Sequence, residues 1–425
     1  MTPTSGRNVQ APVAMKRWVL VDRERLAQVA DWLVVAVAVS LPWSTSATSI
    51  LIVLWLLALV PTLDPAAIKR EVMSPAGGLP LLLFAVAALG TLWADVAWDE
   101  RITGLLAFHK LLVIPLLLAQ FRRSNGGNRV IFGFFVALLV MLLVSFLLTY
   151  FSSLPWRGQG SIGVPAKDYV AQSGLFAICV FALLGLAIEL WRERRRALAL
   201  GASVLAALFL GNIVYVATRR TALVIMAVLL VALFWWYFGT KGVLAATLIG
   251  VVMGGLAWMS SDYLRGRVIE LGKEVEVYRS TGQVTSAGLR LEYWSKAVTF
   301  IAEAPLTGHG TGTVRKLFQH RAAGAREITW DVTVNPHNQT LAVAIQLGLV
   351  GVAVLIAMWI AHLALFREQT LIAWFGFIIV VQNIVSSQFN SHLFDFTQGW
   401  LYVFGVGVTG GMVLRSSQAK GALIP

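Results

Sequence analysis

Apolar runs of about 18 or more residues recur along most of this chain, separated by short polar turns. A run of that length can cross a bilayer as an α-helix, whereas shorter runs are usual for helices buried in soluble domains. Of the 425 residues, 58% are hydrophobic and 13% are charged, compared with about 25% charged in a typical soluble domain. The sequence therefore predicts an all-α, polytopic membrane protein.

The apolar runs predict about twelve transmembrane helices, with ends defined to within about 2–4 residues. Their ranges are 26–42, 45–61, 78–94, 102–120, 130–150, 170–190, 198–217, 221–238, 243–259, 339–365, 370–389 and 397–414. Pro42 and the polar residues after it divide the first apolar stretch into two helices, because proline interrupts a helix. The predicted units are a tail at 1–25, spans at 26–260, a loop domain at 261–337, spans at 338–414 and a second tail at 415–425.

Basic residues predict how the chain is oriented. Short loops on one side are rich in Lys and Arg, as at 69–70, 122–123 and 192–196, whereas the loop at 95–100 is acidic and that at 390–397 has neither. Since cytoplasmic loops carry the excess of Lys and Arg, both termini are predicted to be cytoplasmic. The long loop then lies on the outer face, which is the periplasm for an inner-membrane protein of a Gram-negative bacterium. The net charge of +13 has the same explanation, so no nucleic-acid partner is predicted.

The long loop is predicted to be partly helical. Apolar residues recur at helical spacing over 262–279 and again over 288–304, where Pro305 ends the second helix. A segment rich in Gly, Ser and Thr at 280–287 joins the two helices. A glycine-rich turn at 307–313 precedes a short helix near 314–322.

His337 is the candidate catalytic residue. It lies where the polar loop meets an apolar run, within the sequence Asn335-Pro336-His337-Asn338-Gln339. A neutral imidazole at that position can take a proton from a hydroxyl group. The neighbouring amides of Asn338 and Gln339 suit contacts with sugar hydroxyls. The alternative is a histidine that caps the span through a backbone hydrogen bond.

Arginines supply candidate anion-binding groups. Arg219 and Arg220 stand at the outer end of a span, where guanidinium groups could bind a diphosphate bidentately without a metal. Arg290, Tyr293 and Trp294 share one face of the predicted second loop helix, where a cation beside two aromatic rings could hold a phosphate and stack on a sugar. The alternatives are arginines that snorkel to the headgroups and an interfacial aromatic belt.

Arg265 is a weaker candidate for diphosphate binding, and His309 is a weaker candidate for lining the site. His309 belongs to a glycine-rich segment that resembles a phosphate loop but follows a helix and lacks the Walker lysine, so nucleotide binding is not predicted. His109 and Lys110 form an ionisable pair inside a predicted span. Contact with a lipid phosphate and snorkelling to the interface both remain open for that pair.

No metal and no cofactor is predicted. Cys179 is the single cysteine, which excludes an intrachain disulfide and a cysteine-built zinc site. The outer loops contain no Asp-x-Asp pair, and the chain has neither an HExxH nor a GxSxG motif. A diphosphate handled by this protein would be neutralised by arginine rather than by Mg²⁺.

Four stretches together resemble the O-antigen ligase and O-antigen polymerase superfamily of bacterial envelope enzymes. The resemblance covers about 210–350, and the layout of twelve spans with one large periplasmic loop before the tenth is similar to that family's GT-C-like architecture. The stretches are Thr218-Arg219-Arg220-Thr221-Ala222-Leu223, Leu289-Arg290-Leu291-Glu292-Tyr293-Trp294, Ala304-Pro305-Leu306-Thr307-Gly308-His309-Gly310 and Pro336-His337-Asn338-Gln339-Thr340-Leu341.

The resemblance implies an inverting, metal-independent glycan transfer from undecaprenyl diphosphate to an acceptor sugar at the periplasmic face. The family's base falls on His337, its helix arginine on Arg290, and its span-edge arginine on Arg220 or the neighbouring Arg219. The doubled arginine departs from the family pattern. We expect both arginine sites to hold the departing diphosphate.

Within the superfamily the layout favours a ligase that joins O-antigen to lipid A–core oligosaccharide. An O-antigen polymerase and a protein O-oligosaccharyltransferase share the same motifs, although no extra C-terminal domain of the kind some protein-glycosylating members carry is evident. A lipid-linked glycan transporter or flippase is the alternative from another class. A transporter would be expected to have similar halves and broken spans near the midplane.

Overall fold

The computed structural model describes residues 22–151, 153–154, 156, 162–217, 220–260, 262–281, 285–322 and 335–421. All the regular secondary structure of these residues is helical, as the sequence predicts. In chain order the α-helices are α1 (Arg23–Ser40), α2 (Thr45–Leu59), α3 (Pro65–Val72), α4 (Pro75–Gly90), α5 (Trp98–Leu106), α6 (Ile114–Arg123), α7 (Gly127–Tyr150), α8 (Tyr169–Arg192), α9 (Arg196–Tyr215), α10 (Arg220–Ser260), α11 (Asp262–Thr281), α12 (Ser286–Glu303), α13 (Val314–Ala322), α14 (Gln339–Leu365), α15 (Leu371–Ser386) and α16 (Phe396–Gly421). Short 3₁₀ helices lie at Val60–Thr62 and His109–Val113.

The first helix pair shows how local chemistry sets the helix ends. The Asp22 side chain accepts hydrogen bonds from the first-turn N–H groups of α1, and the Ser44 side chain caps α2 in the same way. Between them the chain turns at 41–43, next to Pro42. The predicted division of the first apolar stretch into two helices is therefore confirmed.

The helices make this a multi-pass membrane protein. Six of the described helical segments are long and apolar enough to cross a membrane, or eight if two bent pairs are each counted as one span. The bends are 78° between α3 and α4 and 46° between α5 and α6. One candidate, Thr221–Val252, covers much of the two spans predicted at 221–238 and 243–259. These two are the parts of α10 on either side of Gly239, which has non-helical torsion angles.

The long polar segment folds into the three predicted helices α11, α12 and α13. Residues 282–284 of the predicted joining segment lie outside the described residues. A second, smaller apolar core joins α12 and α13 to the start of α14, separate from the main core of the bundle. Its buried members are Tyr293, Ala297, Phe300, Val314, Phe318 and Ile345. Helices α12 and α13 are therefore packed against the helix that His337 precedes.

The helix after His337 is broken at Gly348, whose torsion angles are φ 61° and ψ −160°. The glycine-rich turn crosses this break and uses the backbone groups that the break leaves unpaired. His309 N and Gly310 N donate to the Ile345 and Gln346 carbonyl oxygens (both 2.9 Å), while Leu349 N and Val350 N donate to Pro305 O (2.8 Å) and Leu306 O (3.2 Å). Irregular backbone within a membrane protein requires such pairing, since lipid offers no hydrogen bonds.

A buried ion pair joins α3 to α6, and its loss is expected to destabilise the bundle. The Glu71 side chain has no exposed surface, and its Oε1 atom lies 2.8 Å from Nη1 of Arg122, which is 14% exposed. Glu71→Gln leaves the largely buried Arg122 without its counter-charge, a change that costs about 3–5 kcal/mol for a fully buried pair. We expect a lower melting temperature for the detergent-solubilised protein.

The exposed pair Arg25–Asp22 provides the matched control, since its side chains are 85% and 51% exposed. Arg25→Ala should leave the melting temperature unchanged, because solvent screens such pairs. Equal melting temperatures for the Glu71→Gln variant and the wild type would mean that the ion pair between α3 and α6 does not stabilise the fold.

Candidate functional site

The turn before α14 fixes the position of His337. His337 has φ 53°, a left-handed conformation that few side chains adopt without support. The Asn335 Oδ1 atom accepts a hydrogen bond from His337 N at 2.9 Å, and the Asn338 Oδ1 atom accepts one from Leu341 N at 3.0 Å. The first contact is an Asx turn and the second is the N-cap of α14. The imidazole is thus held where the polar segment joins the helix.

Hydrogen bonds around Asn390 assign the tautomer of the His337 ring. The Asn390 Oδ1 atom lies 3.1 Å from His337 Nδ1 and also accepts from Ser391 N at 3.0 Å and from Asn335 Nδ2 at 2.8 Å. Because a backbone N–H can only donate, this atom of the Asn390 amide must be the oxygen. His337 Nδ1 therefore carries a proton in this bond. In the neutral ring Nε2 is then the nitrogen that can accept a proton.

Helix α12 covers the ring and the turn. Tyr293 stacks on His337 with ring centroids 6.2 Å apart and an interplanar angle of 26°. The Trp294 indole N–H donates to the Pro336 carbonyl oxygen at 3.1 Å. Arg290 is half-buried one helical turn before Tyr293, on the same side of α12. The structure thus brings the α12 motif and the histidine motif together.

The two amides after His337 bind protein groups. The Asn338 amide donates to the Gln388 carbonyl oxygen at 3.1 Å, in addition to capping α14. Gln339 is fully buried, and its Oε1 atom accepts from Leu393 N at 3.0 Å. These contacts hold the start of α14 against residues 387–395, which connect α15 to α16 and are called here the α15–α16 connection.

The α15–α16 connection is the part of the site that sequence reasoning missed. Besides Asn390, it supplies Ser391, whose hydroxyl donates to Asn335 Oδ1 at 2.7 Å. Lys110, whose role was open, donates to the carbonyl oxygens of Phe394 at 2.8 Å and Asp395 at 3.0 Å. Its neighbour His109 is exposed and packs edge-on against Trp400. The sequence signal that could have identified this connection is that it is a polar stretch between two apolar runs, on the predicted outer side.

The structure gives less information about the other arginines. Arg219 and the side chain of Arg220 lie outside the described residues. The Arg265 Nη1 atom donates to the carbonyl oxygens of Trp258 at 3.1 Å and Met259 at 3.2 Å. It thereby caps the last turn of α10, where a positive charge is favourable.

The glycine-rich turn is not built as a phosphate cradle. The N–H groups of His309 and Gly310 are bound to α14, Thr311 N donates to Gly90 O at 3.0 Å, and Gly312 N donates to Gln346 Oε1 at 2.9 Å. The His309 Nε2 atom lies 2.8 Å from the Phe300 carbonyl oxygen. Four consecutive backbone donors are therefore used by the protein itself. Among the described residues, no group of three or more His, Cys, Asp or Glu could hold a metal ion.

A cavity of 620 Å³ adjoins the His337 turn. Asn335 and Asn390, which both bind His337, form part of its lining, and α5, the glycine-rich turn and α14 contribute other walls. Asp395 also lines it. Burial acts to raise the pKa of Asp395, but the His392 ring and the Lys110 ammonium outweigh this effect and hold the pKa below its usual range. The Asp395 carboxylate is consequently ionised at neutral pH.

Substitution of Asn390 is expected to change catalysis through the His337 ring. Asn390→Ala removes the Nδ1 partner, and loss of one such bond should slow turnover by about 3–10-fold. In Asn390→Asp the carboxylate favours the doubly protonated ring, so the acid limb of the pH–rate profile should move to higher pH. Rates measured between pH 5 and 9 check both outcomes.

Gln388→Ala is a control within the same connection, because Asn338 binds its backbone oxygen rather than its side chain. An acid limb that stays at the wild-type pH in Asn390→Asp would contradict the assigned contact between Asn390 and the candidate base His337.

Residues 205–356 match a family model described as O-antigen ligase. The matched range begins in α9 and ends in α14, so it contains the span-edge arginines, α12, the glycine-rich turn and His337. No curated protein matches the chain. The α15–α16 connection lies beyond the matched range.

Proposed function

We propose, from the membership of this chain in the O-antigen ligase superfamily, that it transfers O-antigen glycan from undecaprenyl diphosphate to a sugar hydroxyl of lipid A–core oligosaccharide. The transfer is inverting and metal-independent. It takes place at the periplasmic face of the inner membrane, in a protein with twelve spans, cytoplasmic termini and a GT-C-like layout.

His337 acts as the general base, and the observation that carries this role is its hydrogen bond to Asn390. Because Nδ1 donates to the Asn390 oxygen, Nε2 of the neutral ring accepts the proton of the acceptor hydroxyl. The acceptor oxygen then forms a bond to the anomeric carbon of the donor glycan. The bond from that carbon to the diphosphate oxygen breaks, and its electron pair leaves with the diphosphate.

Arginines stabilise the leaving diphosphate. Arg290 is suited to this role because it lies one turn from Tyr293, the residue that stacks on His337. Arg219 or Arg220 provides the second guanidinium, and Arg265 contributes charge from the start of α11. Guanidinium groups in a site from which water is excluded stabilise developing negative charge without a metal ion. Trp294, His309, Asn338 and Gln339 support the sugar side of the pocket.

One observation supports the transporter alternative, because α10 and α14 are both broken at glycines. Transporters use such breaks to expose backbone groups to their cargo. In α14, however, the groups at the break are paired with the glycine-rich turn. This pairing favours a fixed scaffold for the base, and hence a transferase.

The test combines purified protein, lipid-linked O-antigen and lipid A–core in detergent. A joined product, formed equally in the presence of EDTA, is the expected result. Elongation of the lipid-linked glycan without use of lipid A–core would instead identify a polymerase. Loss of product with EDTA and recovery with Mg²⁺ would overturn the metal-independent mechanism.

A further inference from the structure

The cavity beside His337 has an acidic lining. Asp99, Glu100 and Asp395 are three acidic residues of its lining, and Arg315 is the one basic residue among the described residues that line it. Lys110 lies behind the wall, bound to the Asp395 carbonyl oxygen, and offsets the Asp395 charge in part. The volume of 620 Å³ falls within the range of about 300–1,000 Å³ that is usual for small-molecule pockets.

This chemistry fits an uncharged sugar. Carboxylates accept strong hydrogen bonds from hydroxyl groups, the amides of Asn335 and Asn390 add polar groups, and Phe394 offers an apolar surface to the C–H face of a ring. A diphosphate would be repelled, because placing like charges together is costly. A lipid tail would leave the polar lining without hydrogen bonds.

The cavity and helix α12, which carries Arg290, lie next to different parts of the His337 ring. Tyr293 of α12 covers a face of the His337 ring, whereas Asn390, the partner of Nδ1, lines the cavity. The reacting hydroxyl of a sugar held in the cavity must therefore extend past the Nδ1 contact to reach Nε2. In an inverting displacement the attacking oxygen and the leaving group must be on opposite sides of the anomeric carbon. Separate locations for the attacking sugar, at the acidic cavity, and for the leaving diphosphate, at the arginine-bearing helix, are compatible with that requirement.

We propose that this cavity is the acceptor subsite, which binds an unphosphorylated sugar of the acceptor through Asp99, Glu100 and the Asn390 wall and rejects phosphorylated sugars. The proposal rests on the proposed glycan transfer. It adds that the acceptor, rather than the donor, occupies the acidic cavity beside His337. The donor glycan and its diphosphate bind elsewhere.

The test is the double variant Asp99→Asn with Glu100→Gln, which removes two charges with little change in shape. Weakening of two charge-assisted hydrogen bonds should raise the KM for lipid A–core by about tenfold or more. The KM for lipid-linked O-antigen should stay at the wild-type value. Asp95→Asn is the matched control, because the Asp95 side chain is 96% exposed, pairs with Lys316 and does not line the cavity.

Charge reversal provides a sharper readout. In Glu100→Lys, the preference for core oligosaccharide treated with phosphatase over untreated, phosphorylated core should shrink or invert. The ratio of kcat/KM values for these two acceptors measures this, and the ratio does not depend on how much of the variant is folded. An unchanged ratio would overturn the exclusion of phosphate.

Binding separates this proposal from the proposed function. Phosphatase-treated core oligosaccharide should bind the inactive His337→Ala protein, and the Asp99→Asn/Glu100→Gln changes should weaken that binding about tenfold. Unchanged binding and an unchanged acceptor KM would reject the acceptor subsite but would not contradict the proposed glycan transfer. A raised donor KM instead would assign the cavity to the donor. Failure of the wild type to form product, with acceptor binding still dependent on these carboxylates, would reject only the transfer reaction.

Discussion

The His337→Ala protein is expected to lose glycan transfer by about 10²–10⁴-fold, the usual contribution of a positioned general base. In the proposed transfer the acceptor hydroxyl is a weak nucleophile, and His337 is the ring that Asn335 and Asn390 hold in place. Transfer is measured in the purified assay, and membrane insertion is followed by yield and monodispersity in detergent.

A second variant separates catalysis from folding, since His337 occupies a left-handed conformation. His337→Asn should fold like the wild type, because asparagine tolerates positive φ, and should be equally inactive. His320→Ala is the matched control, as His320 is an exposed histidine of α13. Wild-type transfer by His337→Asn would remove His337 from the role of base.

Gly348→Ala is expected to abolish assembly of the folded protein. With φ 61° and ψ −160°, Gly348 occupies a region open almost only to glycine, and a Cβ there would overlap the Leu306 carbonyl group. Because two backbones cross at this point, neither can move aside without losing the hydrogen bonds that close the break in α14. The measurements are the yield of monodisperse protein and its melting temperature.

Gly211→Ala in α9 provides the control, since a Cβ at that position would meet nothing within 4 Å. Alanine should be tolerated there and can stabilise the helix slightly. Normal yield and melting of Gly348→Ala would show that the backbone crossing does not hold α14 in place.

Local features of the sequence predicted the helices well. Helical periodicity, a proline stop and a glycine-rich turn led to α11, α12 and α13 with nearly their observed bounds. The same reasoning could not distinguish straight spans from bent ones. An apolar run retains its hydropathy whether or not it bends, so the angles at α3–α4 and α5–α6 were not predictable. The break at Gly348 is likewise invisible, because glycine is common within membrane helices.

The site was predictable only in part. His337 and the Arg290–Tyr293–Trp294 face were recognisable, because each is a compact pattern beside an apolar run. Asn390 was not, because its importance depends on a contact with His337 across 53 positions of the chain. The amides of Asn338 and Gln339 looked suited to sugar hydroxyls, yet their hydrogen bonds to the α15–α16 connection depend on tertiary packing.

The crossing of the glycine-rich turn over α14 has a mechanical consequence. The part of α14 between His337 and Gly348 is short, fixed at its start by Gln339 and at its end by the backbone of 305–310. Amide protons at His309, Gly310, Leu349 and Val350 should accordingly be among the slowest to exchange with deuterated solvent. Such a segment holds the proposed proton acceptor in a fixed position, so any rearrangement that admits the two proposed glycolipid substrates must come from the helices around it.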